Sequence, residues 1–178
     1  VYNPRDLIAF GQIVTSVGEG AYLGALANIT SPSVRQSAGQ IIGNEARQNS
    51  LLRTYERLNF FNALNFDTPI TGAQAFSLAS QYWTCPVGNN PPFNFTQIPP
   101  LNLTFANPNA TQDHKAGDLV TATWNATQAF LGADVFVRVL SDVNDIQVPL
   151  NQTTITRNGT GRGTFALPAG INGTAFVV

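Results

Sequence analysis

The residues with the clearest chemical potential are two glutamates and a glutamine on predicted helices. Glu45 and Gln48 stand three positions apart within 31–58, a stretch whose periodicity favours a helix. Residues three apart on a helix lie on one face, so this carboxylate and carboxamide face a common partner. Glu19 is the sole acidic residue between Asp6 and Glu45. A buried carboxylate needs an arginine, a metal ion or a proton as its partner, and the function depends on which of these it meets.

Two long helices are predicted to position these groups. The first spans residues 4–28 and contains four glycines, each of which weakens an isolated helix by up to about 1 kcal/mol relative to alanine; we therefore expect another backbone to pack closely against it. The second begins at Ser31-Pro32, a predicted N-cap followed by proline. The short connection between them predicts antiparallel neighbours. Counting from that turn, Glu45 lies about five residues, or roughly 7 Å, further out than Glu19.

The helical period also predicts which side chains face the partner helices. On the first helix the predicted inward stripe is Ile8, Gln12, Thr15, Glu19, Tyr22 and Leu26. On the second helix it is Val34, Ala38, Ile41, Glu45, Gln48, Leu52 and Tyr55.

The rest of the chain changes from helical to alternating periodicity. Thr71 and Gln74 form a capping-box pattern that predicts a shorter third helix over 71–81. The sequence predicts an α+β chain: a helical domain at 1–84, a linker rich in proline and asparagine at 85–100, and an antiparallel β-sandwich of immunoglobulin-like type at 101–178. Asn158-Gly159 predicts one of its tight turns.

Composition narrows the possible functions. The 178 residues carry a net charge of -1, and 11% are charged, which argues against nucleic-acid binding and anionic membranes. Apolar runs fall short of the ~20 residues of a membrane span. The ends of the chain suggest a processed product or a fragment, and Cys85 is a buried thiol or half of a bridge to a missing segment.

The eight Asn-x-Ser/Thr sequons predict a secreted glycoprotein, extracellular or in a cell wall, with N-linked glycans; they begin at Asn28, Asn94, Asn102, Asn109, Asn125, Asn151, Asn158 and Asn172.

The chain resembles the ferritin-like family of fungal stress-response and desiccation-related proteins. The resemblance rests on GEGAYLGAL (18–26), IIGNEARQNSLLR (41–53), FDTP (66–69) and the β tail. It implies the second half of a four-helix bundle and half of a carboxylate-bridged iron or manganese site, with Glu19 and Glu45 as ligands. Gln48 stands where the family has histidine, and a carboxamide is a poorer ligand for such metals. The other half would come from an N-terminal segment, a companion chain or a second copy.

Several alternatives stay open at this point. The leading hypothesis is a structural or stress-associated extracellular protein with a degenerate metal site; the others are a dimetal oxidase or oxygenase and a β-sandwich that binds carbohydrate or a surface partner. Arg47 or Arg53 could pair with the glutamates instead of a metal. The stretch 141–145 has the oxygen ligands that begin a calcium loop, but it favours a solvated turn. Asp113, His114 and Asp118 suggest acid–base chemistry without a nucleophile.

Overall fold

The computed structural model describes residues 3–56, 67–82, 95, 98–106, 114–125, 135–141, 144–156, 159–171 and 175–177. The chain divides into two compact units between Ile98 and Pro99. Three helices form the first unit, and antiparallel sheets form the second. None of the helices described combines the length and the apolar character that a membrane crossing requires. Cys85 and most of the predicted linker lie outside the described residues.

The first helix, α1, runs from Pro4 to Leu26. The Asn3 side chain accepts a hydrogen bond from the backbone N–H of Asp6 at 2.9 Å, and Pro4 occupies the first turn, where no N–H is needed. The inward prediction is confirmed for Thr15 and Glu19, which are buried together with Ser16 and Gly20, and it is wrong for Tyr22, which is exposed. A polar strip therefore lies in the middle of this helix.

The second helix, α2, runs from Pro32 to Tyr55. Ser31 occupies the N-cap position, but its hydroxyl makes no capping hydrogen bond. The predicted inward stripe is confirmed at Ala38 and is wrong at four positions that are exposed in this structure: Val34, Ile41, Gln48 and Tyr55. Asn49 is buried instead. Within the described residues α2 packs mainly against α1, so the strip that it buries is narrower than the predicted one and includes Asn49 in place of Gln48.

The third helix, α3, runs from Gly72 to Ser80 and confirms the predicted capping box. The Thr71 hydroxyl accepts from the Gln74 N–H, and the Gln74 side chain accepts from the Thr71 N–H at 2.8 Å. The residues before α3, 67–70, return to α1: the Ile70 N–H donates to the Gly20 carbonyl at 3.0 Å. Ile70 is 2% exposed, so this segment is anchored on the first helix.

The described residues of the second unit form seven strands. They are β1 (Leu101–Phe105), β2 (Leu119–Asn125), β3 (Phe136–Ser141), β4 (Asn144–Pro149), β5 (Asn151–Ile155), β6 (Thr160–Ala166) and β7 (Phe176–Val177). One sheet has the order β1-β2-β6-β5, which we call sheet A, and the other, sheet B, has the order β4-β3-β7. Gly159, from the predicted turn, has a φ of +75°; Asn158 lies outside the described residues.

Both sheets contribute side chains to one core. Val120, Ala122, Trp124 and Phe165 come from sheet A, and Val137 and Val139 come from sheet B. Buried and exposed residues alternate along β2 and β6, as expected for strands with one face on the core and one face in water. The period-2 prediction for this part of the chain is therefore confirmed.

Candidate carboxylate site of the helical unit

Two glycines of α1 set its register against α2. A β-carbon on Gly11 would lie 3.3 Å from a methyl group of Leu52, and one on Gly18 would lie 3.6 Å from the carboxyl carbon of Glu45. Gly11 and Gly18 are seven residues apart on α1, and Leu52 and Glu45 are seven residues apart on α2. One antiparallel register therefore accounts for both contacts. The Glu45 carboxyl group therefore lies against α1 at Gly18, the neighbour of Glu19 in the chain; the offset of roughly 7 Å counted from the turn stays a prediction.

Glu19 lies at the centre of a polar network between the helices. Its carboxyl group is buried, with 6% of the residue exposed, and its Oε2 accepts a hydrogen bond from the Asn49 side-chain amide at 3.3 Å. The Oδ1 of Asn49 in turn accepts from the Ser16 hydroxyl at 3.2 Å and from the Gln12 amide at 3.3 Å. Gln12 also donates to Ser16 at 3.0 Å. Each buried polar group is thus satisfied, as an apolar interface requires.

A third carboxyl group reaches this site from the segment before α3. Asp67 makes a side-chain hydrogen bond with Glu19, and two carboxyl groups can form such a bond only when one of them keeps its proton. Burial, followed by the charge of Asp67, raises the pKa of Glu19 from 4.5 to about 7. The bond to Asp67 and the charge of Glu45 act in the same direction, whereas the Asn49 amide acts against them. At neutral pH the Glu19 carboxyl is therefore partly protonated.

The described residues of this site do not form a complete metal centre by themselves. The described part of the chain contains no cluster of three or more His, Cys, Asp or Glu residues arranged to hold a metal ion. The charge of Glu45 acts on Glu19, but Gln48 is exposed, and Asn49 directs an N–H at Glu19. An N–H on a carboxylate oxygen competes with a cation for the same lone pairs, so these residues favour a proton and an amide over a metal.

Two members of the site were missed by the sequence analysis. Asn49 lies one residue beyond the predicted stripe; its signal was the i, i+4 spacing from Glu45, which also brings side chains to one face. Asp67 belongs to the FDTP segment that carried the resemblance, but no pattern local to Asp67 indicates that this segment returns to α1. Arg47, a predicted alternative partner, is exposed, and its guanidinium lies near Gly43 on its own helix.

A comparison with known protein families gives one match, in the helical unit. Residues 1–57 match the profile of the ferritin-like domain family. The helical hairpin is ferritin-like. The match covers α1 and α2 and ends one residue beyond the described part of the hairpin. No curated protein matches the chain. The ferritin-like hairpin, joined to antiparallel sheets, makes this an α+β chain with a ferritin-like domain in its N-terminal part.

The other residues singled out in the sequence have local structural roles. Arg138 forms a bidentate pair with Asp145 across β3 and β4, with Nε donating at 3.0 Å, so the Asp145 carboxylate has a partner other than calcium. His114 stacks on Phe105 with ring centroids 3.7 Å apart and lies 3.9 Å from Asp118; Asp113 lies outside the described residues. Four sequon asparagines are described and all are exposed: Asn28, Asn102, Asn125 and Asn151.

The raised pKa of Glu19 predicts a pH-dependent stability of the helical unit. Because the folded state binds the proton more tightly than the unfolded chain, the contribution of Glu19 to the free energy of unfolding is fully present below pH 4.5 and is lost as the pH rises through about 7. A shift of this size corresponds to about 3 kcal/mol, and solvent at the site screens part of it, so we expect a loss of about 1–2 kcal/mol. Urea unfolding at pH 5–8, followed by helical circular dichroism, measures it.

Glu19→Gln keeps a side-chain carbonyl oxygen that can accept from the Asn49 amide, and it removes the ionisable carboxyl group. We expect this variant to lose most of the pH 5–7 slope and to be more stable than the wild type at pH 8. Glu45→Gln is the control, because Glu45 makes the smallest contribution to the pKa shift and its loss leaves the slope largely intact. An equal slope in the wild type and in Glu19→Gln would show that the buried carboxyl group does not carry a shifted pKa.

Proposed function

We propose that this protein is a secreted structural glycoprotein, associated with stress, in which a ferritin-like hairpin has exchanged its metal site for a network of hydrogen bonds. The observation that carries the proposal is the Asn49 amide N–H directed at the Glu19 carboxylate at 3.3 Å. In a dimetal site of this fold, a carboxylate from each of two helices and a Glu-x-x-His pair from each of the other two face the metals. Here an amide donor faces the carboxylate, and a retained proton replaces the positive charge of an ion.

The network supports a structural role because it is closed within the described residues. Gln12 donates to Ser16 and to Asn49, Ser16 donates to Asn49, and Asn49 donates one amide N–H to Glu19. A network in which every member has a partner specifies one packing arrangement. It fixes the register of the hairpin without a cofactor.

The second candidate function is a dimetal oxidase or oxygenase completed by other helices. It is favoured by one observation: α2 presents a seven-residue repeat to solvent, with Val34 54% exposed, Ile41 38% exposed and Tyr55 65% exposed. Gln48 occupies the third position of this repeat. The expectation that a preceding segment, a companion chain or a second copy supplies the remaining helices stays a prediction, as does the immunoglobulin-like character of the β unit.

Metal content separates the two candidates. Protein isolated from its natural source with all its chains, analysed by plasma mass spectrometry, should contain far less than one iron or manganese ion per chain. Addition of ferrous iron or manganese to the metal-stripped protein should produce no binding heat. Near-stoichiometric metal that disappears in Glu19→Gln, and persists in the control Asp6→Asn, would overturn the structural proposal in favour of the oxidative one.

A further inference from the structure

Two outer strands of sheet A have an unusual composition. Among the residues that the structure describes, the order β1-β2-β6-β5 leaves β1 and β5 with one strand partner each. Neither LNLTF nor NQTTI contains a charged residue or a proline. An outer strand presents unpaired N–H and C=O groups to other chains, and proteins commonly protect it with charges, proline or a bulge. A register shift between Asn151 and Thr154 gives β5 some irregularity, but β1 pairs with β2 without interruption.

One of the two outer strands of sheet B shows a contrast. β4 carries Asp145, paired with Arg138 of β3, and ends in Pro149; the other outer strand, β7, has only two residues. These are the ordinary protective residues of an edge. On sheet A, β1 has none of these protections, and β5 has only its register shift.

Each outer strand of sheet A carries one sequon asparagine on the solvent face. Asn102 of β1 pairs with Thr123, which lies between the buried Ala122 and Trp124 on β2. Asn151 of β5 pairs with Thr164, next to the buried Phe165 of β6. Because side chains alternate between the two faces of a sheet, both asparagines point away from the core, and both are exposed.

We propose that N-linked glycans on Asn102 and Asn151 cover the two edges of sheet A and prevent edge-to-edge association. This inference rests on the proposed secretory route. Strands lie about 4.8 Å apart, so the two asparagines stand about 14 Å apart across the sheet, one at each border. A glycan is bulky and strongly hydrated, and at either border it obstructs the approach of a further strand.

The modification requires a donor of one chemical class, a lipid-pyrophosphate-linked oligosaccharide. The asparagine Nδ2 forms a bond to C1 of the first sugar, and the bond from C1 to the pyrophosphate oxygen breaks. The lipid pyrophosphate leaves with that electron pair, and the amide group loses one proton. No electron transfer is involved.

Occupancy is measured on the full chain secreted from a eukaryotic host. Enzymatic glycan release in heavy-oxygen water labels every asparagine that carried a glycan, and peptide mass spectrometry locates the label. We expect the label at both Asn102 and Asn151. If either edge asparagine is bare while any of the other six sequons is labelled, the edge proposal is wrong and the secretory proposal stands. If all eight sequons are bare, both proposals fail.

The effect on association is tested with variants that keep both asparagines. Thr104→Ala combined with Thr153→Ala destroys the two edge sequons, whereas Thr104→Ser combined with Thr153→Ser keeps them. Light scattering after gel filtration should show the weight-average mass of the alanine pair rising about twofold or more, with the serine pair unchanged. Asn125→Gln is a second control, because it removes a sequon of the same sheet from β2, an inner strand.

Native deglycosylation of the wild type provides a second measurement that does not depend on folding of a variant. The deglycosylated chain should associate as the alanine pair does, with unchanged circular dichroism before association. If both edge asparagines carry glycans, and the protein stays monomeric both in the alanine pair and after deglycosylation, the proposal is wrong.

Discussion

Gly24→Ala is expected to destabilise the helical unit by about 3 kcal/mol. A β-carbon at this position would overlap the carbonyl oxygen of Ile70 and would lie 2.9 Å from its carbonyl carbon. The obstruction is backbone, and it is held in place by the hydrogen bond from the Ile70 N–H to Gly20. It cannot be relieved by rotating a side chain, so 67–70 must leave α1. Thermal unfolding followed by helical circular dichroism should show a fall in Tm of about 10–20 °C.

Gly39→Ala is the matched control for this substitution. Gly39 is an exposed glycine in the middle of α2, and a β-carbon there would meet nothing within 4 Å. It should gain up to about 1 kcal/mol from the higher helix propensity of alanine. Opposite signs for the two substitutions are expected; equal effects would mean that 67–70 does not pack on α1 as described.

Gly161→Ala is expected to destabilise the β unit by about 2–3 kcal/mol. The added β-carbon would lie 2.5 Å from Nε1 and 2.6 Å from Cζ2 of Trp124, an indole that belongs to the buried core and pairs with Gly161 across β2 and β6. The ring has no free volume to enter in a close-packed interior. Because Trp124 is one of only two tryptophans, its fluorescence during denaturant unfolding reports the change.

A smaller ring should relieve this clash. Trp124→Phe removes the part of the indole that the new methyl group would meet, so Gly161→Ala should cost less in that background than in the wild type, with a coupling energy of about 1–2 kcal/mol. If the free-energy changes of the two substitutions simply add, the new methyl group does not contact the indole ring of Trp124. Gly163→Ala, whose β-carbon would lie 3.0 Å from the Leu150 β-carbon, should cost less than Gly161→Ala.

The elements of both units could be predicted from local patterns. Thr71 and Gln74 indicate a capping box that forms with both of its hydrogen bonds, and the alternation around Val120, Ala122 and Trp124 indicates a strand with one buried face. Such signals are carried by neighbouring residues and need no knowledge of distant contacts. The burial of Glu19 could be predicted for the same reason, since it follows from the stripe of one helix.

The composition of the carboxylate site could be predicted only in part. The spacing of apolar residues predicts the buried face of a helix only to within about one residue. It could not decide whether Gln48 or Asn49 faces α1. The position of Glu45 against α1 depends on the glycine contacts at Gly11 and Gly18, which counting from a turn does not include. Asp67 joins the site through contacts that are remote in sequence, so its role required the structure.

The seating of Ile70 on α1 also limits how the chain can vary in length. Asp67 contacts Glu19, and three residues later the Ile70 N–H binds Gly20. Three residues span at most about 10 Å. This short segment therefore places the Asp67 side chain at Glu19 and the Ile70 N–H at Gly20, two adjacent residues of α1. Insertion of a single residue between them would leave only one of the two contacts in register. We therefore expect relatives that retain Gly24 to conserve the length of this segment more strictly than the identities of Thr68 and Pro69.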